Sequence, residues 1–108
     1  MALPNQAPEI ITTAELSRRL ASRTAPRIID VREAHEFAAG HIPGAENMPL
    51  SRFAAQFRSL PKQEELVLVC RSGNRSGMAQ KFLVSQGYSQ TRNLVDGMLD
   101  WTGPVVRS

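Results

Sequence analysis

An apolar run that ends in the only cysteine of the chain is the feature that most restricts how this sequence can fold. Residues 66–77 read LVLVCRSGNRSG, in which four aliphatic residues precede Cys70 and small or basic residues follow it before a helical pattern begins. Such a run is typical of a buried strand in a parallel sheet, and the polar residues after it indicate a tight loop. The stretch therefore predicts a strand–loop–helix unit with Cys70 at the carboxyl end of the strand.

The rest of the chain alternates between short β-branched runs and helical patterns, with Gly and Pro residues between them. Strands are expected at residues 10–11, 27–31, 45–50, 65–69 and 91–95. Helices are expected at residues 13–21, 33–39 and 51–60, from residue 75 or 76 to a stop at Gly87, and at 98–101. This order predicts an α/β fold, with a five-stranded, mostly parallel sheet and helices on both faces. The strand at 65–69 is the most apolar and is expected at the centre.

The domain organisation follows from the length of the chain. With 108 residues and 11.9 kDa there is room for one hydrophobic core. We expect a loose N-terminal lead-in over residues 1–8, the domain over residues 9–103 and a C-terminal tail over residues 104–108.

Three local signals predict how individual helices begin and which way they face. Thr12 and Glu15 have the spacing of a capping box at the first helix, and Ser51 is expected to cap the third. Met78 is expected on the apolar face of the helix that follows the cysteine loop.

Composition excludes several function classes. One cysteine cannot form an intramolecular disulfide, and no stretch reaches the roughly 18 apolar residues of a membrane span. We therefore expect a cytoplasmic protein that does not contact a membrane. The net charge is +3, but the arginines are scattered and do not alternate with aromatic residues, so no nucleic-acid partner is expected. A small anionic substrate fits the mild positive charge.

The residues after Cys70 suit a thiolate nucleophile. Backbone amides at the start of a helix have no intrahelical partner and can point at an anion, while Arg71 and Arg75 add positive charge. Both effects are expected to lower the pKa of Cys70 below about 8.5. Gly73 permits a tight bend. The predicted anion-binding loop comprises Arg71, Ser72, Gly73, Asn74, Arg75 and Ser76. The alternative is a buried structural cysteine.

Three motifs in order carry a resemblance to the rhodanese family of sulfurtransferases. The loop CRSGNR resembles the active-site loop of that family, IIDVREAHEFAAGHIPGAENMPL resembles its first signature, and LVDGMLDW resembles its closing motif. The similarity covers residues 11–101, and one departure is visible, since Asp96-Gly97 stands where the family usually has two glycines.

The resemblance implies a two-step sulfur transfer through a persulfide on Cys70. The donor would be a small anion such as thiosulfate, or a persulfide, and the acceptor would be cyanide in an assay or a cellular thiol or protein. No metal and no other cofactor is implied, and a single unit is the expected assembly.

Two other functions remain open at this point. The family also contains modules without enzymatic activity, so a sulfur carrier or interaction module is one alternative. A cell-cycle family of protein phosphatases resembles this chain as well, but its loop has one more residue between Cys and Arg. Arg75 follows Cys70 by five positions, which favours sulfur over phosphatase or arsenate reductase chemistry.

Four polar residues and one aromatic residue outside the loop are interpreted as follows. Asp30 and Arg32 match the first motif and are expected to support the site, although either could instead form an ion pair with a neighbour such as Glu36. His35 and His41 are interpreted as structural or surface residues, because an ionised thiol needs no general base. Trp101 is expected to pack in the core.

Overall fold

Five parallel strands form the sheet of the protein, which a computed structural model describes over residues 9–108. The strands are β1 (Glu9–Ile11), β2 (Arg27–Asp30), β3 (Glu46–Asn47), β4 (Leu66–Val69) and β5 (Thr91–Leu94). Their spatial order is β1-β5-β4-β2-β3, and each neighbouring pair is parallel. The predicted α/β fold is confirmed, and β4 is the central strand as expected. The lead-in predicted for residues 1–8 lies outside the described residues.

Helices cover both faces of this sheet. They are α1 (Thr13–Ala21), α2 (Ala34–Ala39), α3 (Leu50–Gln56) and α4 (Asn74–Ser85), and 3₁₀ turns occupy Phe57–Ser59 and Gly97–Asp100. Among residues 9–108, none of the helices is long and apolar enough to cross a membrane.

The side chains of β4 alternate between two hydrophobic cores, which explains why every residue of this strand is apolar. Leu66 and Leu68 belong to the core that contains α3 and α4, whereas Val67 and Val69 belong to the core that contains α1. All four side chains are fully buried, and burial of each aliphatic side chain contributes about 1.5–3 kcal/mol. Trp101 packs in the second core, as predicted.

Two local predictions about helices are wrong. Ser51 does not cap α3, because Pro49 occupies the N-cap position. The Ser51 hydroxyl instead donates to the Glu33 carboxylate at 2.9 Å. Met78 is 62% exposed. The buried face of α4 includes the polar Gln80, which donates to the carbonyl oxygens of Glu9 and Thr91 and so connects α4 to β1 and β5.

The capping box predicted at the start of α1 is only half formed. The Thr12 hydroxyl accepts a hydrogen bond from the amide of Glu15 at 3.1 Å. The Glu15 carboxylate, however, lies 3.0 Å from the Arg92 guanidinium on β5. This carboxylate therefore links α1 to the sheet.

The last residues of the chain lie against the segment that follows α2. The backbones of His41 and Val106 exchange two hydrogen bonds of 2.9 Å in an antiparallel bridge. His41 is buried, stacks on Phe37 at 3.6 Å and contacts the Phe37 carbonyl oxygen through Nδ1, whereas His35 is exposed. These positions agree with a structural role for His41 and a surface position for His35.

Candidate active site

The carboxyl ends of two neighbouring strands place the predicted site residues side by side. Asp30, the last residue of β2, pairs in register with Val69, the last residue of β4, and Cys70 follows immediately. Ligands of parallel sheets bind outside such ends. The sequence prediction that these two stretches meet at one edge is therefore confirmed.

Gly73 and Gly97 allow the cysteine loop to close. Gly73 has φ of +94°, and a Cβ there would overlap the Val95 carbonyl oxygen. Gly97 has φ of +62°, and a Cβ there would lie 2.6 Å from the Cys70 carbonyl oxygen. Asp96 has φ of −101°, which any residue adopts, so the departure from two glycines leaves the turn intact.

The turn after β5 also holds the loop by two backbone hydrogen bonds. The amide of Met98 donates to the Cys70 carbonyl oxygen and the amide of Leu99 donates to the Arg71 carbonyl oxygen, each at 2.9 Å. The closing segment of the sequence is thus part of the framework that fixes the position of Cys70.

The Cys70 sulfur accepts hydrogen bonds from its own loop. The Gly73 amide lies 3.1 Å and the Ser76 hydroxyl 3.2 Å from Sγ, and Cys70 is 1% exposed. Burial acts to raise the pKa of this thiol, but hydrogen bonds from the Ser76 hydroxyl and from the amides of Ser76, Ser72 and Gly73 outweigh it, so the pKa is lowered. The predicted direction is confirmed, although the principal groups are not the arginine side chains.

The Arg75 guanidinium forms an ion pair with the Glu36 carboxylate. Both terminal nitrogens of Arg75 bind Glu36 of α2, at 2.7 and 3.0 Å. The Arg75 guanidinium, although burial opposes it, lowers the pKa of Glu36 to about 2, and the Glu33 amide adds a further hydrogen bond. The hydrogen bonds to Glu36 in turn raise the pKa of Arg75 against the opposing effect of burial, and negative charge on Cys70 adds a smaller contribution. The sequence left open an ion pair of Asp30 or Arg32 with a neighbour such as Glu36, but Glu36 pairs with Arg75 instead.

Asp30 and Arg32 pair with each other in the interior. Asp30 is 0% exposed, and its carboxylate accepts hydrogen bonds of 2.8–3.1 Å from the amide, Nε and Nη2 of Arg32. Arg32 also donates to the Gly40 carbonyl oxygen at 2.8 Å, and Asn47 donates to the carbonyl oxygens of both paired residues. This pair joins β2, the end of α2 and β3.

Three predicted loop residues face solvent. Arg71, Ser72 and Asn74 are exposed, whereas Ser76 is fully buried against Cys70. The helix begins at Asn74, one residue earlier than predicted, with Gly73 at the N-cap. Arg71 thus lies at the entrance of the loop and Ser76 at its base.

Sequence reasoning missed Asn93 of β5. Its Nδ2 donates to the Gly73 carbonyl oxygen at 3.0 Å, and its Oδ1 accepts from the Ser76 hydroxyl at 2.5 Å. A polar residue inside a strand next to a turn is the available signal, but its contacts depend on how β5 packs beside α4.

The arrangement can stabilise negative charge on one sulfur atom. Within residues 9–108, no group of three His, Cys, Asp or Glu side chains could hold a metal ion. These features define a class of α/β domains with a cysteine loop at the carboxyl edge of a parallel sheet.

Comparison with known proteins identifies the family within that class. Residues 12–104 match the family described as Rhodanese-like domain. The match covers most of the chain, so this protein belongs to the rhodanese-like domain family.

Individual relatives agree with this assignment. The chain is 36% identical over 91 residues to a protein of Allochromatium vinosum named "Sulfurtransferase", covering 84% of this chain and 85% of that protein. It is 38% identical over 96 residues to "Putative sulfur carrier protein YrkF" of Bacillus subtilis, covering 89% of this chain but only 51% of that relative. The crystal structure of a rhodanese-like domain protein from Staphylococcus aureus superposes with a TM-score of 0.85 at 31% identity, covering 93% of this chain and 98% of the other.

Proposed function

We propose that this protein is a sulfurtransferase that carries a sulfane sulfur on Cys70. The donor is thiosulfate or a persulfide, and the acceptor is a cellular thiol or protein, or cyanide in an assay. The observation that carries the proposal is the pair of hydrogen bonds to Sγ from the Gly73 amide and the Ser76 hydroxyl. They favour the thiolate, which is the nucleophilic form of cysteine.

In the first step the Cys70 thiolate attacks the outer sulfur of thiosulfate. A new S–S bond forms, the S–S bond within thiosulfate breaks, and the electron pair leaves with sulfite. The amides of Ser72, Gly73 and Ser76 stabilise negative charge on the persulfide, in the manner of an oxyanion hole.

In the second step the acceptor attacks the outer sulfur of the Cys70 persulfide. The electron pair of the breaking S–S bond returns to Cys70, which regenerates the thiolate. No redox partner or cofactor takes part in this balance.

The two loop arginines have different roles in this proposal. Arg71 is exposed and orients the anionic donor. Arg75 has its terminal nitrogens bound to Glu36, so it acts as a fixed positive charge near the thiolate. Asp30 and Arg32 support the loop from below.

A sulfur carrier without multiple turnover is the second candidate, because one relative is named as a carrier. It would form the same persulfide but require a partner protein to release the sulfur. Phosphatase or arsenate reductase activity fits less well for two reasons. Arg75 follows Cys70 by five positions, so the loop is one residue shorter than that of the phosphatases. In addition, the Arg75 guanidinium is already bound to the Glu36 carboxylate.

Intact mass after exposure to thiosulfate tests the proposal. We expect an addition of about 32 Da, the mass of one sulfur atom, that cyanide removes with formation of thiocyanate. Cys70→Ser, which leaves the loop backbone in place, should show neither the addition nor turnover. Persulfide formation without turnover on cyanide or thiols would support the carrier instead. Hydrolysis of a phosphate ester with no sulfite release would overturn sulfur transfer.

A further inference from the structure

A closed ring of hydrogen bonds connects Cys70 to Asn93. The Cys70 sulfur accepts from the Gly73 amide at 3.1 Å, and the Gly73 carbonyl oxygen accepts from Asn93 Nδ2 at 3.0 Å. On the other side, Asn93 Oδ1 accepts from the Ser76 hydroxyl at 2.5 Å, and the same hydroxyl lies 3.2 Å from the Cys70 sulfur. One side chain from β5 therefore contacts both residues that donate hydrogen bonds to the sulfur.

The Ser76 hydroxyl has two acceptors and a single proton. It can donate to Asn93 or to the Cys70 sulfur at any moment, but not to both at full strength. The orientation of the Asn93 amide is fixed, because its NH₂ group is the part that can donate to the Gly73 carbonyl oxygen. Its carbonyl oxygen must then face Ser76. The geometry thus creates a competition for one proton beside the nucleophile.

We propose that Asn93 is a positioning residue that controls the ionisation of Cys70 through the hydroxyl of Ser76. This inference rests on the proposed function only in that the thiolate is the form that attacks the sulfur donor.

The ring changes state without any proton leaving Ser76. When Cys70 is a thiol, the Ser76 hydroxyl donates to Asn93. When the thiol releases its proton to solvent, the Ser76 hydroxyl rotates and donates to the thiolate. In the persulfide the negative charge moves to the outer sulfur, so the Ser76 hydroxyl returns to Asn93. Asn93 thereby holds the fully buried Ser76 hydroxyl next to the sulfur as a hydrogen-bond donor.

Charged groups on the elements next to the cysteine loop must stay unchanged in a test. They are the loop residue Arg71, the buried pair Asp30 and Arg32, the ion pair of Arg75 with Glu36, and Asp96 in the turn after β5. None of them binds Asn93 in the described part of the chain. Substitution of Asn93 therefore leaves these groups in place.

The pKa of Cys70 can be measured directly, because the chain has one cysteine and the rate of alkylation by iodoacetamide follows its thiolate fraction. Asn93→Asp keeps the size of the side chain, removes the donor to Gly73 and offers Ser76 a stronger acceptor. We expect the alkylation pKa to rise by about one unit, a tenfold loss of thiolate below the pKa.

The same substitution in a Ser76→Ala background separates the proposal from a simple effect of added charge. Because Ser76→Ala removes the hydroxyl proton, the rise in the alkylation pKa of Cys70 caused by Asn93→Asp should be less than half of the rise measured when Ser76 is present. An equal rise in both backgrounds would show that the new carboxylate acts through its field and would overturn the proposal.

Asn93→Ala provides a second cycle without added charge, in case the Asp variant does not fold. The thiolate fraction of the double variant should differ by at least about threefold from the product of the effects of Asn93→Ala and Ser76→Ala measured singly, since the two residues share a hydrogen bond. Multiplicative effects would refute the role of Asn93. Alkylation needs no sulfur donor, so coupled pKa values without sulfur transfer would reject the proposed function alone.

Discussion

The connections that follow β2 and β4 lie side by side at one edge of the sheet, yet they are built from opposite kinds of interaction. After β2, the buried carboxylate of Asp30 receives its hydrogen bonds from Arg32, so the two charges cancel. After β4, the sulfur of Cys70 accepts hydrogen bonds from an amide and a hydroxyl, and no cationic side chain bonds to it in the described part of the chain. The first connection is a closed structural unit. The second keeps the capacity to bind and react as an anion.

This comparison predicts that damage to the β2 connection appears chiefly as lost stability. Asp30→Asn keeps the shape of the side chain but leaves the charge of Arg32, which is 7% exposed, without its partner. We expect the free energy of unfolding to fall by about 3–5 kcal/mol. Urea denaturation measures it.

Glu46→Gln is the matched control, because it breaks an ion pair of similar length, 2.6 Å to Arg27, at a site where Glu46 is 46% exposed. It should lower the free energy of unfolding by less than about 1 kcal/mol. Similar losses for the two variants would mean that burial of the Asp30–Arg32 pair has no special importance.

Damage to the β4 connection should instead remove activity. Gly73→Ala places a Cβ on the Val95 carbonyl oxygen in a left-handed conformation, so the loop must shift and the hydrogen bond from the Gly73 amide to the sulfur is disturbed. We expect sulfur transfer to fall by about 100-fold, the usual consequence of a displacement near 1 Å. Steady-state rates with thiosulfate and cyanide measure the loss.

Gly44→Ala is the control that separates the backbone strain of a positive φ from the steric clash that a Cβ causes at Gly73. Gly44 also has a positive φ, +84°, but a Cβ there would meet nothing within 4 Å. This control should lose about 1 kcal/mol of stability and keep its activity. If both variants lose activity equally, the position of the loop is not the cause.

Glu36 links the two connections, and its contribution depends on pH. Its pKa is lowered from 4.5 to about 2 in the folded state, so its ion pair stabilises the fold above pH 4.5 and loses that effect as pH falls towards 2. We expect Glu36→Gln to lower the free energy of unfolding by about 1 kcal/mol at pH 7, since both side chains of the pair are partly exposed.

Denaturation at several pH values checks this contribution. The difference between Glu36→Gln and the parent protein should be constant above pH 5 and should shrink below pH 4.5. A difference that is the same at pH 2.5 and pH 7 would assign the effect to packing rather than to charge.

The sequence predicts the framework better than it predicts the partners of polar side chains. The alternation of strands and helices and the apolar run of β4 were sufficient for the sheet and for the place of Cys70. Glu36 and Arg75 lie 39 positions apart, and Asn93 and Ser76 lie 17 apart, so no local pattern connects them. Gln80 was missed for a similar reason, because its burial depends on carbonyl groups of two other strands.

The smallest expected effect concerns the turn that holds the cysteine loop from the other side. Asp96 is exposed and has φ of −101°, while the neighbouring Gly97 provides the positive φ and the close approach to the Cys70 carbonyl oxygen. Asp96→Gly restores the two glycines usual in the family. We expect a change below about 1 kcal/mol in stability and below about twofold in sulfur transfer, because the backbone gains only flexibility. A rate increase of tenfold or more would show that Asp96 restrains the loop that follows β4.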